Sequence, residues 1–317
     1  MDLEAIFRPG SVAVVGASRT PGKVGYILTK NMMGSGFGGE IYPINPGADE
    51  ILGLKCYKSV LDVPDAIDLA VITIPSASVL QVADECGRKG VKALVVISAG
   101  FKETGHDGAV LEQQLLEIGK QYNMRIQGPN CLGLINTETP INLSFAAGMP
   151  RKGRIGFISQ SGALGTAILD WIIKENIGFH SFISLGNKAD LDEVDFIEAM
   201  AEDDDIGVIL LYLESIEKGR KFIDTSMRVV KKKPVMVLKG GTSSTGARAA
   251  GSHTGAFVGS FLAYQTAFNK AGYYVATGTP TLYCVQSMRA GLTGPDKYED
   301  NGPWETVAEY EFQIPGA

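Results

Sequence analysis

No CxxC pair occurs in this sequence, and its four cysteines, Cys56, Cys86, Cys131 and Cys284, keep no metal-ligand spacing. That excludes a zinc ribbon or dithiol redox site on spacing and fits a reducing cytosol. No apolar run approaches the roughly 20 residues that span a bilayer. The acidic start Met1-Asp2-Leu3-Glu4-Ala5-Ile6-Phe7 lacks the apolar core of a signal peptide. An excess of basic charge is missing too. Against 29 Lys and Arg stand 35 Asp and Glu, a net charge of −6 with no basic stripe, so nucleic acid is not an expected partner. These absences predict a cytoplasmic chain that engages neither membrane nor nucleic acid.

What is present suits two ordinary domains: 317 residues, 45% hydrophobic and 20% charged, outside the disordered range. In the first half, Ser11–Val15, Glu40–Ile44, Leu69–Ile74, Leu94–Ile97 and Arg125–Gln127 read as strands. They are apolar throughout rather than alternating, the habit of a parallel sheet covered on both faces. Helical patterns at Gly25–Met33, Ser78–Lys89 and Gly108–Tyr122 separate them, so the order is βα and the expected class is a doubly wound α/β sheet. A boundary is expected in the Pro-, Gly- and Asn-rich stretch Pro140–Gly153. The alternation then restarts, with strands at Ile155–Ile158, Phe179–Leu185, Gly207–Leu213 and Val235–Leu238 and helices at Ala163–Lys174, Asp192–Met200 and Gly219–Lys232. Lys231-Lys232-Lys233 before Pro234 reads as charge complementing a helix C-terminus. Glu202–Asp205 reads as a solvated turn.

The chemistry gathers where strands turn into helices. Strand one ends in Gly16-Ala17-Ser18-Arg19-Thr20-Pro21-Gly22-Lys23, a turn that aims backbone N–H groups and a helix dipole at an anion. Ser18, Arg19 and Lys23 add a hydroxyl and two cations. The G-x-G-x-x-G spacing is missing, and strand two ends in Pro43-Ile44-Asn45-Pro46 where an acid would take ribose hydroxyls, so a ligand other than NAD is expected. Ile74-Pro75-Ser76 and Ser98-Ala99-Gly100-Phe101 can wall the same crevice. Gly128-Pro129-Asn130-Cys131-Leu132-Gly133 closes it, with Cys131 read as a buried small hydrophobe. In the second half Ser159-Gln160-Ser161-Gly162-Ala163 repeats the design as a second anion seat, and a Cβ at Gly162 is expected to obstruct it. Tyr212-Leu213-Glu214-Ser215 ends an apolar strand in a carboxylate. Glu214 either holds the far nitrogen of an imidazole or caps the next helix. His253 stands in a stretch otherwise made of Gly, Ser, Thr, Ala and Arg248 between Lys239 and Ala256, and an imidazole whose unperturbed pKa lies near neutrality is a usable nucleophile or base there.

Taken together, Val15-Gly16-Ala17-Ser18, Gly128–Gly133, Phe157–Ala163, Tyr212–Ser215 and Gly251-Ser252-His253-Thr254-Gly255-Ala256 resemble the α subunit of the nucleoside-diphosphate-forming acyl-CoA synthetase superfamily. The similarity is strongest to ADP-forming acetate–CoA ligases, weaker to succinyl-CoA synthetase α, and covers about residues 3 to 272. It implies a Rossmann-like CoA-binding domain over 1–140, a flavodoxin-like domain over 141–275 carrying the phosphohistidine loop, and a tail of uncertain structure over 276–317. It implies that Gly16, Ser18, Arg19, Lys23, Pro75, Ser98 and Asn130 hold CoA. His253 would be transiently phosphorylated and Glu214 would orient it. Ser159, Gln160, Ser161, Gly162 and Ala163 would cradle the phosphoryl group. Acyl-CoA, ADP and phosphate would be interconverted with carboxylic acid, ATP and CoA through an acyl phosphate. Two doubly wound domains leave no room for an ATP-grasp module, so ADP or ATP and Mg²⁺ are expected on a separate β subunit in a hetero-oligomer, with no metal on this chain. The alternative is a non-catalytic CoA-binding or sensing protein derived from that family.

Overall fold

The computed structural model describes residues 3–240 and 261–276. A short helix α1 (Glu4–Phe7) precedes the first sheet. That sheet is built from β1 (Ser11–Val15), β2 (Glu40–Ile44), β5 (Leu69–Ile72), β6 (Ala93–Val96) and β7 (Arg125–Gln127), all parallel, in the order β2-β1-β5-β6-β7. Between β2 and β5 lies a two-stranded ribbon of β3 (Glu50–Ile51) and β4 (Leu54–Lys55). Helices α2 (Val24–Gly34), α3 (Ser76–Lys89) and α4 (His106–Gln121) link the parallel strands. All residues of β1, β5 and β6 are buried, as strands covered on two faces must be.

The second sheet has seven strands in the order β14-β13-β12-β10-β11-β8-β9. Its parallel part comprises β10 (Arg151–Ser159), β11 (Gly178–Ser184), β12 (Val208–Leu213), β13 (Val235–Lys239) and β14 (Tyr274–Ala276). Helices α5 (Gly162–Lys174), α6 (Glu193–Glu202), α7 (Gly219–Val229) and α8 (Phe261–Ala271) accompany it. Counting parallel strands alone, both sheets have the order 2-1-3-4-5. Each therefore has one switch point, β1/β5 in the first and β10/β12 in the second, where helices leave to opposite faces and a crevice opens at the strand ends.

Sequence pattern did not disclose the antiparallel pair β8 (Gly133–Asn136) and β9 (Ile141–Ser144), which pairs onto β11 and makes the second sheet mixed. The stretch Pro140–Gly153, where a boundary is expected from the sequence, holds β9 and the start of β10. Asn136 Oδ1 accepts from the N–H groups of Glu138 and Thr139 and closes the hairpin turn. Gly133, at φ +108°, lies where a Cβ would collide with Leu143 O. Four-residue runs such as Gly-Leu-Ile-Asn carry too little periodicity to be read alone.

The two sheets share a core. Val12, Val14, Leu28 and Met32 belong to one apolar cluster with Leu134, Ile141, Leu143, Ile158, Ile183 and Phe196. Ala13 and Val15, on the opposite face of β1, pack into a second cluster with Ile72, Phe101 and Leu115. Phe157, Leu169 and Phe182 fill the outer face of the second sheet. The chain from Gly186 to Leu191 is laid along the end of the first sheet. Asn187, Ala189 and Leu191 donate to the carbonyls of Pro129, Gly128 and Ile126. Asp190 takes two bonds from Arg125, 2.8 and 3.1 Å, and one of 2.9 Å from Ile126 N–H.

Of the three lysines before Pro234, Lys232 pairs with Glu202, and Lys233 is buried and donates to Met200 O and Asp203 O. Their positive charge thus serves the C-terminus of α6, the neighbouring helix, rather than their own. Asp203, in the expected solvated turn, is largely covered and pairs with Arg8.

Asp190→Ala should lower stability by about 1–3 kcal/mol, since a partly buried bidentate pair loses its anion and Arg125 is left unpaired; the midpoint of urea unfolding reads this. Cys86 and Cys131 are buried, and burial pushes each thiol up to about 12. At pH 8 only about one in 10⁴ would be thiolate. Iodoacetamide should therefore leave both unmodified in the folded chain and alkylate both in urea, as peptide mapping would read.

Candidate functional site

The crevice of the first sheet opens at β1/β5. Gly16, at φ +86°, sits so that a Cβ would lie 2.7 Å from Thr73 Oγ1 and 2.9 Å from Ile74 Cγ2, which only glycine tolerates. Gly25, in the first turn of α2, presses on the Gly16 carbonyl with no room for a Cβ. The turn between them is pinned from outside. Gly16 N–H donates to Ile44 O, Asn45 Nδ2 to Ala17 O at 2.7 Å, and Arg19 to Gly47 O at 3.3 Å. Asn45, which stands where a dinucleotide site has its acid, is thus a tie between strand ends. Ser18 Oγ accepts from Thr20 N–H. Lys23 is the N-cap residue of α2 with no side-chain cap, and the N–H groups of Val24 and Gly25 have no partner among the described residues. Arg19 and Lys23 are exposed beside them. The geometry is an open helix N-terminus with two cations at its mouth, suited to phosphate.

The other walls stand at the same edge. Pro75 is the N-cap residue of α3. Ser98 Oγ donates to Ile74 O at 2.5 Å, joining the ends of β5 and β6. Asn130, at φ +58°, donates from its N–H to Ser98 O and from Nδ2 to Asn187 Oδ1. The structure therefore brings Gly16, Ser18, Arg19, Lys23, Pro75, Ser98 and Asn130 to one edge of one sheet.

The second crevice opens at β10/β12. Ser159 Oγ is buried, donating to Ser161 O and accepting from Ser161 N–H. Ser161 caps α5 by accepting from Leu164 N–H. That leaves the N–H groups of Gly162 and Ala163 without a partner among the described residues, facing out of the helix N-terminus. A Cβ on Gly162 would meet only Leu132 Cβ, at 3.9 Å. The expected steric obstruction is therefore absent in the protein itself, and any cost of a side chain here would fall on what the turn receives.

Gln160 differs from its expected part. Its Oε1 accepts from Glu214 N–H at 2.6 Å and Ser215 N–H at 2.9 Å, while Nε2 donates to Ser215 O at 2.7 Å. The amide is taken up in clamping the end of β12 to the end of β10. Glu214 does not cap α7, whose N-cap residue is Lys218 with no side-chain cap. Its carboxylate lies by the Tyr212 hydroxyl, and burial together with that charge pushes the phenol up to about 12.

Sequence reading missed the groups beneath this turn. Lys188, at φ +59°, reaches Glu193 Oε2 and Ser215 O, each at 3.2 Å, and the ion pair is buried. Burial raises the Glu193 pKa, with Lys188 opposing. Gln160 Nε2 approaches the same carboxylate at 3.4 Å. Asn187 donates to Glu103 at 2.6 Å and Glu112 at 2.8 Å, linking the first sheet's crevice to this loop. The only sequence signal was the run Gly186-Asn187-Lys188 after a strand, a turn composition that does not disclose burial.

The segment Gly128–Gly133 is common to both crevices. Asn130 lines the first, and Leu132 lies beside α5, where a Cβ added to Gly162 or Gly165 would meet it at 3.9 or 3.8 Å. Lys239, at the end of β13, donates to Glu214 O at 2.7 Å, and its ammonium lies 4.5 Å from the Tyr264 ring centroid on α8. His253 lies outside the described residues, as do the tail residues 277–317. No helix among the described residues is long and apolar enough to cross a membrane.

Residues 10–137 match a CoA binding domain, and residues 152–288 match the succinyl-CoA ligase like flavodoxin domain. The chain is 49% identical over 281 residues to the ADP-forming acetate–CoA ligase I of Archaeoglobus fulgidus, covering 89% of this chain and 41% of that protein. It is 48% identical over 276 residues to the α subunit of ADP-forming acetate–CoA ligase I of Pyrococcus furiosus, covering 86% of this chain and 60% of that subunit. Among solved structures, the dinucleotide forming acetyl-coenzyme A synthetase 1 of Ca. Korarchaeum cryptofilum, in complex with phosphate and ADP, is similar with a TM-score of 0.89 at 46% identity. That likeness covers 93% of this chain and 63% of that one. The chain thus spans about two fifths to just under two thirds of these relatives' length. With both domains met in sequence order and nearly half of the aligned residues identical, the chain belongs to the family of the ADP-forming acetate–CoA ligases, from whose CoA-binding and flavodoxin-like domains it is built.

Proposed function

We propose that this chain is the α part of an ADP-forming acid–CoA ligase. It handles the thioester and the phosphoryl group and passes phosphorus to a nucleotide on an ATP-grasp β partner. The observation that carries this reading is the Gln160 clamp, which fixes the open N-terminus of α5 against Glu214, beside the strand end that leads to His253.

The first domain would take CoA at the β1/β5 crevice. Gly16 lets the backbone approach, Ser18, Arg19 and Lys23 meet phosphates, and Pro75, Ser98 and Asn130 wall the remainder. Because Gly128–Gly133 borders both crevices, a thioester extending past Asn130 would reach the α5 tip. Inorganic phosphate attacks the acyl carbon there, the C–S bond breaks, and CoA leaves as its thiolate, giving an acyl phosphate. Neutral His253 then attacks phosphorus, the P–O bond to the acyl group breaks, and the carboxylate departs. Phosphohistidine finally yields its phosphoryl group to ADP, forming ATP and restoring the imidazole. One carrier thereby splits a three-substrate reaction into two-centre steps.

The residues divide this work. Gly162 and Ala163 N–H groups, with the α5 dipole, stabilise the charge on the transferred phosphoryl oxygens. Glu214 accepts the far N–H of the His253 ring, holding its tautomer and the cation that develops on phosphorylation. Gln160 is a positioning residue that sets the Glu214 backbone, and Ser159 and Ser161 hold the shape of the turn. Mg²⁺ would travel with the nucleotide on the partner. A CoA sensor without turnover would have no need of the α5 seat and Glu214 held together.

The full chain with an ATP-grasp β subunit, ATP and Mg²⁺ should acquire acid-labile, base-stable label from the γ-phosphate. His253→Ala should abolish it, and Glu214→Gln should slow it roughly 10²–10⁴-fold. Saturable CoA binding with no label under any such partner would instead support the sensor.

The two crevices should also fail separately. Arg19→Ala with Lys23→Ala is expected to weaken CoA binding about tenfold or more, with labelling from ATP nearly intact. Gln160→Leu is expected to do the reverse. Equilibrium binding and single-turnover labelling, on variants whose melting confirms a folded chain, separate these outcomes; equal loss of both activities in both variants would sink the division of labour.

A further inference from the structure

We propose that the opposite end of the second sheet carries a structural site for a divalent transition-metal ion, held by Glu138, His180 and Asp205. These residues come from three places: the β8–β9 turn, β11, and the loop between α6 and β12. One ligand atom from each lies within 4.8 Å of the others. Three ligands 2.0–2.2 Å from one ion stand about 3.3–3.8 Å apart, so closure needs side-chain movement on the order of 1 Å. Asp205 is exposed and free to make it.

His180 is the observation that makes this more than a group of acids. It is 1% exposed, yet neither Nδ1 nor Nε2 has a hydrogen-bond partner. A buried imidazole with both nitrogens unbonded costs free energy unless something takes one of them. The nearest group to Nε2 is Asp203 Oδ2 at 3.7 Å, beyond hydrogen-bond reach but placed to receive the second ring N–H once the first nitrogen is ligated. The backbone around the ring is already tied down. Thr137 N–H donates to His180 O at 2.8 Å, which holds the Glu138 turn against β11.

The donor set selects the ion. One imidazole with two carboxylates and no thiolate suits Zn²⁺, Co²⁺ or Mn²⁺ better than Mg²⁺ or Ca²⁺, which prefer oxygen alone. Lys152 Nζ, 2.5 Å from Glu138 Oε2, is the competing cation, and its side chain is 65% exposed, so it can swing into solvent. The site lies at the starting ends of β11 and β12, whereas Ser159, Gly162 and Glu214 lie at the finishing ends. The strand length between them is about 20 Å, so the ion takes no part in chemistry there. It would tie hairpin, central strand and loop together.

The full chain, stripped with EDTA, should bind one equivalent of Zn²⁺ by calorimetry and melt at a higher temperature with it, while equal Mg²⁺ changes neither. Co²⁺ should give the visible absorption of a bound ion with nitrogen and oxygen ligands. Asp205→Asn and Glu138→Gln should each weaken Zn²⁺ binding tenfold or more while the metal-free chain stays folded, and Lys152→Gln should tighten it. Because Asp205 is exposed, its variant tests the site even if His180→Gln does not fold. Absence of saturable binding, or binding and melting shifts unchanged in both carboxylate variants, would overturn the proposal.

Discussion

One side-chain amide holds the second domain's strand ends in register with each other. Gln160 accepts two N–H groups and returns one bond to a carbonyl on the segment Glu214–Ser215. Parallel strands on the two sides of a switch point diverge after their last ladder bond, because their helices leave to opposite faces. Without a tie, the ends of β10 and β12 could move apart. With it, the N-terminus of α5 and the Glu214 backbone become one rigid piece. The buried Lys188–Glu193 pair reinforces it by reaching Ser215 O and Gln160 from below. A buried ion pair of this kind contributes little net stability. Here its geometry fixes where three chain segments meet.

The same logic governs the first crevice, with backbone in place of a side-chain clamp. Gly16 and Gly25 let strand, turn and helix approach to distances a Cβ would forbid, and Asn45 ties the end of β2 to the turn. Both crevices then meet at Gly128–Gly133, which enters from β7 and leaves as β8. Asn187 anchors this seam by donating to Glu103 and Glu112 while accepting from Asn130. Burial pushes the Glu103 carboxyl up, but bonds from Asn187 and the Gly100 N–H outweigh that and hold it below the usual range, so it is an anion at neutral pH. Glu112, more deeply buried, is raised. The seam is thus polar and satisfied, set between apolar clusters.

The sequence made some of this legible and hid the rest for physical reasons. The parallel strands declare themselves, because burial on both faces demands continuous apolar runs, as in Ser11–Val15 and Val208–Leu213. Turns rich in Gly and Ser at their ends are legible too. What stayed hidden depends on contacts between residues distant in sequence. The β8–β9 pair is set by where the chain crosses between sheets, Gln160 acts across 54 positions, and Lys233 serves a helix other than its own. The free space beside Gly162 is equally invisible, since glycine after an N-cap serine reads the same whether or not a Cβ would fit.

Lys239 shows how the described parts bracket the segment 241–260. Its ammonium donates to Glu214 O on one side and sits against the Tyr264 ring on the other. Burial lowers its pKa, with Glu214 opposing, so the charge is held chiefly by the local carbonyl and the aromatic face. β13 delivers the chain to Gly240, where a Cβ would lie 3.3 Å from Glu214 Cγ, and α8 takes it up again within one turn of Tyr264. Departure and return are therefore both fastened beside Glu214. The cation–carbonyl–aromatic contact at Lys239 thereby ties the end of β13 and the first turn of α8 to the same strand end that the Gln160 clamp holds against α5.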